Sequence, residues 1–266
     1  MITAYTRPVT AAIARCELTH LERITIDVDV ARAQHRSYER ALEEAGCLVQ
    51  RIDATQGWPD AVFIEDTAVV LDELAVIARP GAVSRRGETG AVERALAAHR
   101  TVKRVEPPGT LDGGDVLCVG RHIFVGCSSR TNASAIEQLG SLGRGFGYEV
   151  RPVAVRGCLH LKSAVTAVAD DTLLVNRDWI PDARLDGFDL IDVDSNEPFA
   201  ANVLRIGDRL LHAAAFPRTR ERLERRSYHV TAVDLSELAK AEGAVTCCSL
   251  LVSSQRCHPE GAKLSA

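Results

Sequence analysis

The sequence predicts an α/β protein built as a five-fold ring of small strand–strand–helix–strand units. Three observations carry that expectation. Apolar strand pairs joined by short polar turns recur at intervals of roughly 40–50 residues, the span of one repeated supersecondary unit. Helix-period segments and a further short strand lie between successive pairs. Each pair also opens on polar residues, which places equivalent ends of the units at a common axis.

In chain order, residues 2–6 read as a strand, and residues 7–23 are polar, without period, and read as a loop. Asp29 is placed to cap a helix running to Gly46, with Ala31, Tyr38, Leu42 and Ala45 on one face. A strand over 48–52 follows. Hairpins then start after Glu65-Asp66, after Gly113-Gly114-Asp115, after Lys162-Ser163 and after Asn202. A fifth unit shows only its first strand, over 244–252, and the N-terminal strand 2–6 is available to complete it. Helix patterns fall at 88–98, 131–142, 218–225 and 236–241, with strands at 101–105 and 149–155. The stretch 193–200 fits the repeat worst and reads as a loop.

The fifth-unit strand, rich in branched residues, carries two adjacent cysteines. Successive side chains of a strand point to opposite faces. Cys248 then shares the apolar face with Leu250 and Val252, and Cys247 shares the other face with Ser249. Cys247 is therefore the thiol expected to look into a polar site.

At 266 residues and 46% hydrophobic content the chain suffices for one large domain or two small ones. The ring makes residues 1–252 a single domain and leaves 253–266 as a tail expected to be disordered. A net charge of -4 without a polybasic segment argues against a nucleic-acid or membrane-surface partner. No apolar run approaches a membrane span, and residues 1–5 lack a signal-peptide pattern, so a cytoplasmic protein is expected. Eight cysteines without a CxxC pair point to free thiols rather than disulfides or structural zinc. The expected partner is a small-molecule substrate, and the chain a monomer or a homodimer.

The strand entrances collect Asp60, Glu65, Asp66, Asp112, Asp115, His160, Lys162 and Cys247. Singly, an acidic residue at a turn is usually a cap, a histidine between leucines usually packs in a core, and Gly113-Gly114 serves a tight turn. Converging on one axis, they supply a nucleophile, a general acid/base and anchors for a cation. Gly143, Gly145 and Gly147 follow a helix and precede a strand, the wrong context for a dinucleotide loop.

Six segments carry a family resemblance: Pro59-Asp-Ala-Val-Phe-Ile-Glu-Asp66, Arg79-Pro-Gly-Ala-Val-Ser-Arg-Arg86, Leu111-Asp-Gly-Gly-Asp-Val-Leu117, Arg130-Thr-Asn132, Leu159-His-Leu-Lys-Ser163 and Gly243-Ala-Val-Thr-Cys-Cys-Ser249. In order and spacing the chain resembles dimethylarginine dimethylaminohydrolase, of the guanidine-modifying (pentein) superfamily, over residues 2–252. The resemblance implies a five-fold pseudosymmetric α/β propeller of ββαβ units, the pentein fold. It also implies hydrolysis of Nω-methylated arginines to citrulline and an alkylamine. Carried over by position, Cys247 is the nucleophile, His160 the general acid/base and Asp112 its acidic partner. Asp66, with Glu65 beside it, pairs with the guanidinium. Arg85 and Arg130 clamp the substrate carboxylate. Asp60, with backbone groups near Leu18 and Ala241, holds the α-amino group, and the stretch around Leu18 covers the site.

No cofactor and no required metal is implied, although zinc bound by Cys247 with His160 would inhibit, as the resemblance suggests for some relatives. Two alternatives stand beside this reading. Arginine deiminase runs the same chemistry on arginine, but its members are longer, with a helical insertion for which this chain has no room. A non-catalytic binding protein of the same fold would lack the cysteine, histidine and acidic residues, all of which are filled here.

Overall fold

The computed structural model of the chain describes residues 1–53 and 57–254. Strand β1 (Ile2–Thr6) leads through a loop with a 3-10 turn at Ala11–Arg15 into helix α1 (Val28–Glu44) and strand β2 (Cys47–Arg51). The second unit contains β3 (Ala68–Val70), β4 (Leu74–Ile77), α2 (Thr89–Ala97) and β5 (Thr101–Arg104). The third contains β6 (Val116–Val119), β7 (His122–Cys127), α3 (Ala133–Arg144) and β8 (Glu149–Ala154). In the fourth, a short helix α4 (Leu161–Ala164) precedes β9 (Val165–Ala167), β10 (Thr172–Val175) and β11 (Asp189–Asp192). The fifth holds β12 (Val203–Ile206), β13 (Arg209–Ala213), α5 (Pro217–Arg225) and β14 (His229–Val233). Helix α6 (Ser236–Ala239) and strand β15 (Leu250–Ser253) close the chain.

Every unit forms its own three-stranded sheet, an antiparallel hairpin with a third strand parallel to its second. The N-terminal strand does complete the unit that β15 opens: β1 pairs antiparallel with β15 and parallel with β2. Residues from β3, β6, β9, β12 and β15 line one central cavity of about 250 Å³. The ring therefore closes with the first strand of each unit innermost, as the five-fold pentein propeller requires. Among the described residues no helix is long and apolar enough to cross a membrane.

Three local readings need correction. The cap of α1 is Asp27, whose carboxylate accepts N–H bonds from Asp29 and Val30 at 3.0 Å, and Asp29 lies inside the first turn. The fourth unit has no full helix between β10 and β11, only a 3-10 turn at Arg177–Trp179. Residues 193–200 form a loop, as expected, and its buried Glu197 accepts N–H bonds from Arg218 and Thr219 and so caps α5.

The third correction bears on function. Residues 244–252 are not one strand, because the backbone turns through 245–248 and pairing begins only at Leu250. Cys247 N–H bonds Ala244 O at 3.2 Å inside that turn. Side chains hold it against the strand preference of its branched residues. Tyr38 donates to Val245 O at 2.8 Å and meets Ser249 Oγ at 2.7 Å, and Asn202 Oδ1 accepts Thr246 N–H. Cys248 and Ser249 are consequently both buried, so alternation does not hold here, although Cys248 still packs in the apolar core and Cys247 faces a cavity.

Tyr38 is fully buried on the apolar face of α1, so its hydroxyl is the tie between that helix and the cysteine turn. Tyr38→Phe is expected to lower unfolding free energy by about 1–3 kcal/mol, since Val245 O and the Ser249 hydroxyl lose a partner. Urea denaturation at constant m-value measures it; a loss under about 0.5 kcal/mol would show that other contacts set the turn.

Candidate active site

A small cavity is lined by Glu17, Asp60, Phe63, Asp66, Arg85, Arg130, Leu159, His160, Ala241, Glu242 and Cys247. Its residues come from the second, third and fourth units, from the chain leading into β15 and from the loop after β1. Of the residues expected at the site, Cys247, His160, Asp60, Asp66, Arg85, Arg130 and Ala241 line it directly. Asp112, Glu65 and Leu18 do not.

The imidazole of His160 sits at the N-terminal edge of α4 and is buried. Its Nε2 meets Asp112 Oδ2 at 3.1 Å, and Nδ1 faces Asp66 Oδ1 at 3.8 Å. Asp112 lies entirely behind the ring, where its second oxygen accepts Gly81 N–H at 2.9 Å. That arrangement commits Nε2 to Asp112 and leaves Nδ1 on the side of Asp66. Asp115, also buried, accepts Leu161 N–H at 2.9 Å and Ser128 Oγ–H at 2.6 Å, fixing the backbone beside the histidine.

The Gly113-Gly114 pair is more than a turn. A β-carbon on Gly113 would fall 2.0 Å from Glu65 O, and one on Gly114 would fall 2.6 Å from His160 Nδ1 and 2.9 Å from Asp66 Oδ1. The bare backbone lets Gly114 N–H reach Asp66 Oδ1 at 3.0 Å.

Asp66 is the negative centre. Burial favours its neutral form, but His160, Arg85 and Gly114 N–H overcome that and hold its pKa at about 2. For His160, burial likewise disfavours charge, yet Asp66, the Asp112 hydrogen bond and Asp115 raise its pKa to about 9. Arg85 is the counter-ion: it reaches Asp66 Oδ2 at 2.5 Å, Glu88 at 3.0 and 3.2 Å, and the carbonyls of Phe63 and Asp60 at 2.9 and 3.2 Å. Its donors are thus largely spent within the protein. Asp60, buried beneath the loop, has its pKa raised to about 6 by burial against the pull of Arg85 and Glu17 N–H.

Cys247 is half-buried, and its thiol pKa is raised first by burial and then by Glu65 and Asp66. Glu65 accepts from Thr246 Oγ1 at 2.7 Å and pairs with Lys162, facing the central cavity on the other side of the cysteine turn. Leu18 packs on the apolar cluster around α1. The described cysteines are all free thiols. Cys257 and the rest of 255–266 lie outside the described residues, whereas Ser253, expected in a disordered tail, is the last residue of β15 and pairs with Ile2. Among the described residues Asp66, Asp112 and His160 are grouped closely enough to share a cation.

The sequence reading missed Glu17, Phe63, Leu159 and Glu242 as lining residues and Glu88 as the second anchor of Arg85. The Arg85–Glu88 spacing of three, one helical turn, was the available signal for the last. Nothing in the sequence pattern marks the others.

Ring and site together define a pentein: a five-bladed α/β propeller with a thiol, an imidazole and carboxylates at its hub. Residues 5–252 match the profile of the family "N,N dimethylarginine dimethylhydrolase, eukaryotic". An N(G),N(G)-dimethylarginine dimethylaminohydrolase of Streptomyces coelicolor is 42% identical over 243 residues, covering 88% of this chain and 90% of the relative. The enzyme of that family from Pseudomonas aeruginosa, solved as a cysteine-to-serine variant complexed with citrulline, superposes with a TM-score of 0.89 at 32% identity, over 95% of this chain and all of its own. The N-terminal domain of ArgZ, an arginine dihydrolase from cyanobacteria, shares the fold at 20% identity and a TM-score of 0.87, over 96% of this chain and all of that domain. The chain belongs to the dimethylarginine dimethylaminohydrolase family.

The His160 pKa gives a signed expectation. Raised from an ordinary 6.5, its ion pairing stabilises the fold fully below pH 6.5 and is lost as pH rises through about 9. The His160 ring resonances should therefore titrate near 9 by NMR, and Asp66→Asn should bring that midpoint down by more than one unit. An unmoved midpoint would remove Asp66 as the cause.

Proposed function

We propose that the protein hydrolyses Nω-methylated arginines to citrulline and methylamine or dimethylamine. One observation carries the reading: in a chain of this family, Cys247, His160 and Asp66 share one small cavity with Asp60 and Arg130. Asp66 is the carboxylate for the substrate guanidinium. Asp60 and the Ala241 backbone suit the α-amino group, and Arg130 suits the α-carboxylate. Phe63 and Leu159 are the apolar lining against which N-methyl groups would rest.

At neutral pH the shifts leave His160 as imidazolium and Cys247 as a neutral thiol before substrate enters. A cationic guanidinium beside Cys247 offsets the field of Glu65 and Asp66, and the thiol releases its proton to solvent. The thiolate attacks the guanidinium carbon to form a tetrahedral adduct. His160 protonates the substituted nitrogen from Nδ1, the C–N bond breaks, and dimethylamine leaves an S-alkylthiouronium on Cys247. Neutral His160 then takes a proton from water, which adds to the same carbon. Collapse of that second adduct breaks the C–S bond and forms the citrulline carbonyl, and the remaining hydroxyl proton passes to the departing sulfur to restore the Cys247 thiol. Asp112 keeps the ring oriented through both transfers. No metal takes part in this sequence; zinc bound through Cys247 and His160 would inhibit by occupying the nucleophile.

Chain length does not separate this reading from an arginine-processing one, because the ArgZ domain spans the same ring without an insertion. Family membership and the apolar lining favour the methylated substrate. Arginine would bury unsatisfied N–H donors there at a cost of about 1–3 kcal/mol, roughly ten- to a hundred-fold in kcat/KM. A ureido colour assay on asymmetric dimethylarginine, monomethylarginine and arginine decides it, with Cys247→Ser expected to release no citrulline. Equal rates on arginine would move the activity to a deiminase, and an active serine variant would displace Cys247.

The two arginines should separate experimentally. Arg130→Ala is expected to raise KM at least tenfold with little change in stability, since its described side-chain partner is Thr19 Oγ1. Arg85→Ala breaks a buried pair with Asp66 and Glu88 and should destabilise the fold by about 3–5 kcal/mol. Thermal melts beside steady-state kinetics test both; a stable Arg85→Ala enzyme with only a raised KM would return Arg85 to a simple substrate clamp.

A further inference from the structure

The loop over the cavity is fastened at three places. Glu17 N–H donates to both carboxylate oxygens of Asp60 at 3.2 Å. Arg130 Nη2 donates to Thr19 Oγ1 at 2.9 Å. The carboxylate of Glu242 accepts three successive backbone N–H groups, from Thr19 at 3.1 and 3.2 Å, His20 at 2.5 Å and Leu21 at 2.8 Å. The first two fastenings use the groups that would bind the amino-acid end of the substrate, so substrate competes with them. The third is independent of substrate.

The backbone of Glu242 is unusual in the same way. Helix α6 ends with Gly243 N–H on Leu238 O at 3.0 Å and Glu242 N–H on Ala239 O at 3.1 Å. That closing pattern places Glu242 where glycine is strongly preferred. Its φ is +60°, left-handed and strained for a glutamate. Strain kept where a glycine would relieve it points to a task for the side chain. The next residue is bare, since a β-carbon on Gly243 would lie 2.2 Å from Phe63 Cε1, so the turn presses against the cavity wall. Ala241 and Glu242 themselves border the cavity.

We propose that Glu242 is a positioning residue that latches residues 19–21 over the active site while Asp60 and Arg130 change partners from loop to substrate. The inference rests on the substrate orientation given above. Carboxylate bonds to three amides in a row hold the loop by charge-assisted contacts that the substrate does not displace.

Glu242→Gly is the decisive variant, because glycine suits the left-handed position. If Glu242 only ended the helix, that variant would melt at the same or higher temperature and behave as the parent. The latch predicts an unchanged or raised Tm, with KM for asymmetric dimethylarginine raised about tenfold and kcat altered less. It also predicts amide exchange at residues 19–21 faster by about tenfold in the substrate-free protein. Glu242→Gln, which keeps one oxygen acceptor, should fall between. Exchange rates within twofold of the parent would overturn the latch, and faster exchange with an unchanged KM would overturn its part in holding substrate. If the parent released no citrulline from any methylated arginine, the proposed activity would fail, while the exchange measurement would still decide the latch.

Discussion

The site depends on keeping one carboxylate charged where burial opposes charge. Asp66 is buried, so bulk solvent does little to offset its ionisation. Three partners do so: Arg85, held in turn by Glu88; the imidazolium of His160, held by Asp112; and Gly114 N–H, which reaches it only because no β-carbon intervenes. Losing any of them leaves a buried charge short of compensation, so the constraint falls on residues far from the reacting carbon. Arg79-Pro-Gly-Ala-Val-Ser-Arg-Arg86 and Leu111-Asp-Gly-Gly-Asp-Val-Leu117 supply that support through Arg85, Asp112 and Gly114.

The ring is what brings these partners together. Asp66 and Arg85 enter from the second unit, Asp112 and Gly114 from the third, His160 from the fourth and Cys247 from the turn before β15, in the unit that β1 completes. Pairing inside each sheet is local, but the charge array forms only when separate units meet around the axis. Glu65 and Lys162 form a second buried pair facing the central cavity, and through Thr246 Glu65 also holds the cysteine turn. The same carboxylate that fixes the nucleophile in space thus makes its thiol harder to ionise.

Most of the fold was legible because its signals are local. Hairpins with polar entrances and helices with one apolar face survive in the sequence as period and punctuation, and β1 could be assigned by counting strands to the unit that β15 opens. The cysteine turn was misread for a physical reason: Val245, Thr246 and Cys248 favour a strand, and the groups that bend it, Tyr38, Asn202 and Glu65, are 44 to 211 residues away. Long-range side-chain bonds leave no periodic trace. The site was legible as a set of residue types but not as a geometry, so Arg85 read as a substrate clamp although the fold uses most of its donors. Glu242 was invisible, since a glutamate after a helix looks like a solvated turn until its φ and its three amide partners are seen.

On the proposed reading, the electrostatics also explain why such a nucleophile is tolerable. A thiol with a low pKa would react with any electrophile that entered. Here burial, Glu65 and Asp66 keep Cys247 protonated, and the imidazolium of His160 is already engaged by Asp66 and Asp112. Only a ligand that brings positive charge to Asp66 beside the sulfur reverses that balance, and only one carrying an amino-acid end can claim Asp60 and Arg130 from the loop. Recognition and activation then follow from the same charges. A neutral or truncated ligand meets one requirement without the other, leaving the sulfur protonated or the loop in place.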